Sequence, residues 1–572
     1  MIKLSESVIT TKFPKLNHFW MDSGLLGLYR ISVIEQYKES GVEIKLNESG
    51  ISFIGSEKEV QSFLEKVYSK LLKQYYNTSS QSQKDKNEGF YYDTKKDQFI
   101  RFPKVKPIGI AGLVKISGQS YKNKGKATFE KRKESAKQPF PILEEKYSYL
   151  QERFEEFLAE TKLKPGSSLL IDGKNIISPT IHLEKLSGKS KGYCFICGQN
   201  SHSLSEIGGT VFPMITGSSG VLSFNSSGSS PEKVCWKCDF IGKFVPVSGF
   251  YAINNDTYHI YFPYSSSMEK MDDVFRSLEI GKIEDPNFYR NFENKLGGYF
   301  QKPFEQFFSF LYSLYRVAMT KRVLSSSDDE EYELDYEKLY DINLNKSPLD
   351  FFVIHTESLG DTQMGKMIWS FQESVYFFRL IDYLERSKVD LTKVIMLLVD
   401  FEQPKNESKT ILRNRVCENI LKKQCIVALV EQHVFRINKS KVQNIKPLFD
   451  FVILYEKVIR EGSDIMDQET IDIAVSVGKT IGMSIAPSGK KGKGDLFRLR
   501  KARKPEDFLN EINRIQMKYG TRVNAELYNK GQIMEENFTE FKQFCMIAAL
   551  NTFNAGNPVS TDNSNKSKVE VA

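Results

Sequence analysis

The run Cys194-Phe195-Ile196-Cys197 and the run Cys235-Trp236-Lys237-Cys238 each place two thiols with two residues between them. A thiolate pair at that spacing holds one metal ion from a tight turn, and two such knuckles complete a tetrahedral four-thiolate shell. Four of the seven cysteines fall in this arrangement, whereas Cys417, Cys425 and Cys545 are scattered. Residues 198–234 lie between the knuckles, a longer gap than the ~15–20 residues of a simple ribbon. A long loop or small insert must therefore be carried there. A closed shell of four cysteines leaves no open position for substrate or water. Cys194, Cys197, Cys235 and Cys238 are accordingly expected to hold structural Zn²⁺.

The other residues with chemical potential do not assemble into a catalytic set. Gly188-Lys189-Ser190 and Gly478-Lys479-Thr480 echo the end of a phosphate loop. The glycine such a loop needs five positions earlier is Leu183 in one case and Ile473 in the other, so neither forms the backbone cradle. Asp400 follows an apolar run, as a magnesium-binding residue at a strand end does, but has no phosphate loop to serve. The six histidines are dispersed, with no His-Glu-x-x-His. The chain is expected not to be an enzyme.

Charge points to a partner. The net charge of +8 is concentrated in two stretches. Lys84–Lys137 holds fifteen Lys/Arg against six Asp/Glu, and Lys479–Lys504 holds nine against one, leaving the rest of the chain acidic. Cationic charge gathered in this way suits a polyanion. Candidate nucleic-acid contacts are Lys122, Asn123, Lys124, Lys126, Lys131 and Arg132, then Lys189 and Lys191 beside the first knuckle. The second stretch adds Lys490, Lys491, Lys493, Arg498, Arg500, Lys501, Arg503 and Lys504. Lysine contacts to phosphate give position and affinity, not sequence. The Gly/Ser clusters at 217–220 and 226–230 can bring backbone N–H groups close to phosphates, or simply connect.

Positioning these groups requires several domains, since the chain has 572 residues and a domain takes about 100–200. Hydrophobic residues at 40% supply ample core. The N-terminal MIKLSESVITTKF has no signal-like apolar stretch, and runs such as Val394–Val399 are too short to span a bilayer. A cytoplasmic location without a membrane partner is expected, where reduced thiols favour metal over disulfide. Alternation at Val42, Ile44, Leu46, Ile51 and Phe53 around Asn47-Glu48-Ser49-Gly50 predicts a hairpin. Ser56 and Glu59 predict a capping box opening a helix, and Asp22-Ser23 the start of an earlier one. Ser168–Asp172 is expected as a strand, Met364–Glu385 as a buried helix, and Val394–Val399 as a buried strand. Pro505 and Gly520 bound a C-terminal helix; others run over Asp467–Gly478 and through Phe538, Phe541, Cys545 and Ala548.

The expected fold class is α+β and multidomain. An α/β N-terminal region covers 1–190, with a four-cysteine zinc ribbon carrying its long insert over 191–245. A mixed, largely helical body covers 246–460, an all-α helical bundle 461–556, and a disordered tail 557–572.

Four landmarks in order resemble a known family. They are Trp20-Met21-Asp22-Ser23-Gly24-Leu25-Leu26-Gly27-Leu28, the knuckle Cys194–Gly198, the distant pair Cys235 and Cys238, and the basic helical C-terminus. Together they resemble the CXXC–CXXC large subunit of type I CRISPR Cascade, of the I-B and I-A kind; the cysteine motif is the sharp part. The resemblance implies a non-enzymatic subunit at the foot of a guide-RNA complex. Such a subunit probes duplex DNA for a protospacer-adjacent motif, promotes R-loop formation, steadies the displaced strand and docks a helicase–nuclease. Implied partners are CRISPR guide RNA, target DNA, the Cascade backbone and guide-processing subunits, a small subunit and the helicase–nuclease. Guide pairing carries sequence in such systems while protein contacts license where pairing starts. The C-terminal bundle is similar to the family's separate small subunit, and Met466 just before it is a candidate internal start. Two other classes stand beside this one: a zinc-ribbon nucleic-acid enzyme, such as a transposase or nuclease accessory, and a zinc-stabilised protein-binding scaffold.

Overall fold

The computed structural model describes residues 8–36, 41–75, 88–103, 120–122, 125–129, 140–163, 168–172, 174–176, 190–206, 233–254, 257–278, 294–325, 350–359, 362–440, 444–461, 466–529 and 531–556. The chain divides into two compact units, one of residues 1–292 with 340–372 and the other of 293–339 with 373–572. The stretch 246–460, expected as one body, is shared between them. The protein is α+β and multidomain, with sheets and helices toward the N-terminus and a helical C-terminal region.

Among the described residues every strand falls in the first unit. There β1 (Val8–Pro14), β2 (Glu43–Asn47) and β3 (Gly50–Ser56) form an antiparallel sheet in the order β1-β3-β2. The β2–β3 hairpin closes where Asn47 faces Gly50, and Gly50 has φ +148°, open to glycine alone without strain. The Ser56 amide donates to the Glu59 carboxylate at 2.9 Å and the Glu59 amide to Ser56 Oγ at 3.3 Å. This reciprocal box opens α2 (Glu57–Tyr75) as its sequence requires.

Helix α1 (Phe19–Gln36) begins ahead of the expected Asp22-Ser23. Asp22 sits inside the first turn and caps from there, accepting from the amides of Leu16 at 2.8 Å and His18 at 3.1 Å. Lys15, at 3.1 Å, and the Tyr264 hydroxyl, at 3.2 Å, complete its partners. Residues Trp20 to Leu28 of α1 are all buried. A helix enclosed on all sides belongs to a core, and α1 packs against α2, the first sheet and the strand Thr257–Tyr264.

A mixed sheet of β4 (Glu88–Asp93), β5 (Gln98–Pro103), β7 (Gly125–Thr128) and β8 (Ser168–Ile171) runs in the order β5-β4-β8-β7, with β6 (Ser120–Lys122) paired to β9 (Lys174–Ile176) beside it in sequence. Helix α3 (Gln151–Thr161) covers it, setting Phe154 and Leu158 on Phe90, Tyr92, Leu169 and Ile171. Four short strands follow: β10 (Gly192–Tyr193), β11 (Asn200–Ser201), β12 (Leu204–Glu206) and β13 (Lys233–Cys235), leading to α4 (Trp236–Gly242).

The last sheet is an antiparallel meander of β14 (Phe250–Asn254), β15 (Thr257–Tyr264), β16 (Asp350–Leu359) and β17 (Thr362–Phe371), with α5 (Met268–Leu278) against β15. The expected helix Met364–Glu385 is thus corrected in its first half. Ile368, Trp369 and Phe371 favour a strand once Ile354, Val353 and Phe351 of β16 stand opposite them.

The second unit is helical among the described residues: α6 (Pro303–Ser325), α7 (Ser374–Arg386), α8 (Leu391–Leu397), α9 (Asn406–Lys409), α10 (Ile411–Leu421), α11 (Val427–Ser440), α12 (Lys446–Ile459), α13 (Gln468–Ile485), α14 (Gly489–Lys501), α15 (Pro505–Tyr519), α16 (Glu526–Asn529) and α17 (Gly531–Ala555). The expected strand Val394–Val399 lies largely in α8. Asp390 caps that helix by accepting from the Lys393 amide at 3.0 Å, and a short apolar run fits a buried helix as readily as a strand. Asp400 ends no strand; it pairs with Arg436 and accepts from Gln403 Nε2 at 2.8 Å. Gly478-Lys479-Thr480 lies inside α13, where Gly478 and Gly482 let the backbone of α17 approach at Cys545 and Ala549. No described helix is long and apolar enough to cross a membrane.

Candidate metal centre and nucleic-acid interface

The first knuckle is the connection between β10 and β11, which pair Gly192 with Ser201 and Tyr193 with Asn200. The Cys194 amide donates to the Gln199 carbonyl at 2.8 Å, and the Gly198 amide to the Cys194 carbonyl at 2.9 Å. Gly198 turns the chain back with φ +68°, a left-handed conformation that suits glycine. The second knuckle is a strand-to-helix junction. Cys235 ends β13 and caps α4 with extended backbone, φ −71° and ψ 159°, and Cys238 follows in the first turn. The Phe195 amide donates to the Lys233 carbonyl at 2.9 Å, tying one knuckle to the other.

The four sulfurs lie within 4.8 Å of one another, with Cys197 Sγ 3.8 Å from Cys235 Sγ. A tetrahedron with metal–sulfur bonds of about 2.3 Å has edges of about 3.8 Å. The donor set therefore fits one divalent ion with every position taken by protein. Cys194, Cys235 and Cys238 are buried and Cys197 is half-buried. As bare thiols the group is in conflict. Hydrogen bonds from Cys197, Cys235 and Cys238 pull the pKa of Cys194 down. Cys194, Cys197 and Cys235, with burial, push the pKa of Cys238 up. A bound cation removes the conflict by stabilising all four thiolates.

The shell is seated on the core of the first unit. Ala in place of Gly24 or Gly27 of α1 would drive a Cβ into the carbonyl oxygens of Ile241 and Phe244. The glycines of Trp20–Leu28 thus exist to admit the chain that carries Cys238. Lys237 Nζ donates to the Lys12 carbonyl at 2.9 Å, and the Trp236 ring meets Phe13 edge-on at 5.7 Å.

The remaining cysteines offer no reactive thiolate, since burial pushes the thiols of Cys417, Cys425 and Cys545 up. Among the described residues no other set of three or more His, Cys, Asp or Glu donors converges. One pair escaped the sequence: His259 and His355 face each other across β15 and β16, with rings stacked at 4.5 Å. Burial lowers the pKa of His355. Only the strand register could have found this pair.

The basic segment 490–504 splits by role. Lys491, Arg498, Lys501, Arg503 and Lys504 are exposed and Lys493 is half-buried. The Lys490 side chain lies outside the described residues. Arg500, half-buried, is engaged within the protein: its Nε and Nη2 grip Glu431 at 2.7 and 3.1 Å, and it stacks on Phe435 at 4.4 Å. Its charge is spent on a buried carboxylate. The segment's single acid, Asp495, turns inward to Arg514 at 2.8 Å, Lys518 at 2.7 Å and Tyr519 at 2.6 Å. Burial opposes its charge, but those hydrogen bonds from Lys518, Tyr519 and Arg514 prevail and hold its pKa at about 2. The outward face of α14 is left cationic. Phe497, missed in the sequence, is 38% exposed on that face, with Lys501 Nζ 4.4 Å from its ring.

Lys191 is exposed next to the first knuckle. Lys122 and Lys126 lie on β6 and β7, their side chains outside the described residues. Asn123, Lys124, Lys131, Arg132, Lys189, the Gly/Ser clusters between the knuckles and the tail 557–572 also lie outside them.

Compared with known proteins, the chain matches no family model and no curated protein.

Proposed function

We propose that this chain is the non-catalytic large subunit of a CXXC–CXXC type I CRISPR Cascade, of the I-B or I-A kind, acting in the cytoplasm. The observation that carries the reading is the closed four-thiol cluster, with the chain just after Cys238 packed at Ile241 and Phe244 against Gly24 and Gly27, which joins two landmarks far apart in the sequence. Cys194, Cys197, Cys235 and Cys238 hold structural Zn²⁺, which fixes the knuckles and takes part in no reaction. The subunit reads the protospacer-adjacent motif in duplex DNA and promotes R-loop formation, while guide RNA pairing supplies sequence. The outward cations of α14, with Phe497 among them, suit the backbone and bases of a displaced single strand. Backbone and guide-processing subunits, a small subunit and a helicase–nuclease complete the assembly.

The test is reconstitution with and without this chain. Backbone and guide-processing subunits loaded with guide RNA are given duplex targets bearing randomised flanks, and strand opening is read by permanganate footprinting. Opening is expected only with the chain present and only beside a subset of flanks, while single-stranded targets pair either way. Equal opening without the chain, or beside every flank, contradicts the reading.

A further inference from the structure

The four thiols of the cluster are not equally sheltered. Cys194 is 1% exposed, Cys238 2% and Cys235 6%, whereas Cys197 is half-buried. Cys197 precedes Gly198, where the chain turns back with φ +68°. A Cβ on Gly198 would meet no described atom within 4 Å, so the turn is open on that side. Across the knuckles Cys197 Sγ touches Cys235 Sγ at 3.8 Å. The two halves of the shell are also held differently. Cys235 and Cys238 stand at the start of α4, which packs against α1 in the core. The first knuckle is the turn of a hairpin with two paired residues in each strand, tied to β13 by the Phe195 amide on the Lys233 carbonyl.

We propose that Cys197 is an oxidation site, at which a hydroperoxide converts the shell into a Cys197–Cys235 disulfide with release of the ion. A metal keeps its cysteine ligands as thiolates, the form that attacks a peroxide. The Cys197 sulfur takes the outer peroxide oxygen: an S–O bond forms, the O–O bond breaks, and the leaving oxygen gains a proton from water. The Cys235 thiolate then attacks the sulfenic sulfur, forming the S–S bond and expelling hydroxide. Two thiolates have given up two electrons, and the peroxide has taken them. Cys194 and Cys238 alone do not complete a tetrahedral shell, so the ion leaves. A thiol reductant with fresh metal restores the site. The other cysteines stay out of this chemistry. Cys417 and Cys545 are fully buried, and Cys425 keeps its proton because burial pushes its thiol up to about 11. The inference rests on the metal centre and is independent of the nucleic-acid reading.

Full-length, zinc-loaded protein is treated with limiting hydrogen peroxide in the presence of a chromogenic zinc dye. Samples are then alkylated, digested with trypsin and read by mass spectrometry. Trypsin separates the thiols: Gly192–Lys233 carries Cys194 and Cys197, Val234–Lys237 carries Cys235, and Cys238–Lys243 carries Cys238. Zinc is expected to appear in step with a cross-link between the first two peptides, placed by fragment ions at Cys197 and Cys235. Dimedone added before the peroxide is expected to trap sulfenic acid at Cys197. Cys197→His keeps four donors and is expected to hold its zinc under peroxide that empties the parent. Should that variant fail to load, the peptide map of the parent decides. Sulfenic acid arising first at another cysteine, a bond within one knuckle, or zinc retained after the peroxide is consumed overturns the oxidation site and leaves the metal centre intact. A folded chain that takes up no zinc overturns both.

Discussion

Arg498 and Arg500 share a helix, a charge and a place in one basic run, and they do different things. Arg498 is exposed, whereas Arg500 clamps Glu431 and lies on Phe435. Removing one partner of a buried pair leaves the other charge uncompensated, at a cost of several kcal/mol; with Arg500 only partly buried, about 2 kcal/mol is expected. Arg500→Ala should therefore lower the unfolding midpoint in a denaturant titration. Arg498→Ala should leave the midpoint in place and reduce single-strand affinity and its salt slope. The reverse pattern would move Arg500 back to the interface. Composition could not separate the two, because Glu431 reaches Arg500 from a distant helix. The cysteines were legible for the opposite reason: a metal shell imposes its geometry on residues with two others between them in each knuckle.

Among the elements, the junction of α1 with the chain from Ile241 to Val247 decides where Cys238 stands. Ala for Gly inside a helix gains about 1 kcal/mol of propensity. At Gly24 the new Cβ would meet the Ile241 carbonyl oxygen and Cγ2, and overpacking a tight core costs about 1–3 kcal/mol. The clash wins because a backbone carbonyl cannot rotate aside. Gly24→Ala is expected to destabilise the first unit and to speed metal loss to a competing chelator. A variant that is stabilised and retains metal like the parent would remove α1 as the seat of the shell. Local signals elsewhere in the sequence were sound. The hairpin at Asn47–Gly50, the Ser56–Glu59 box, and Pro505 with Gly520 each depend on residues within one turn. The errors at Met364–Phe371 and Val394–Val399 came from short apolar runs, whose state is set by a distant partner strand or by a cap at Asp390. The Asp22 cap was displaced because its carboxylate reaches backward along the chain.

At the scale of the whole molecule, two units divide the labour. The first holds every described strand and the thiol cluster; the second is helical and carries the cations of α14. The multidomain α+β organisation was visible from length, hairpin alternation and capping signals. The interleaving of the units was not, since residues 340–372 return to the first unit through pairing of β16 with the distant β15 and stacking of Phe352 on Phe19. The account turns on four sulfurs closing around one ion. Metal analysis of the purified full-length chain, combined with X-ray absorption at the metal edge, tests this most directly. About one zinc per chain is expected, with four sulfur neighbours at about 2.3 Å. A folded chain without metal, or a shell containing nitrogen, oxygen or an open position, would contradict it.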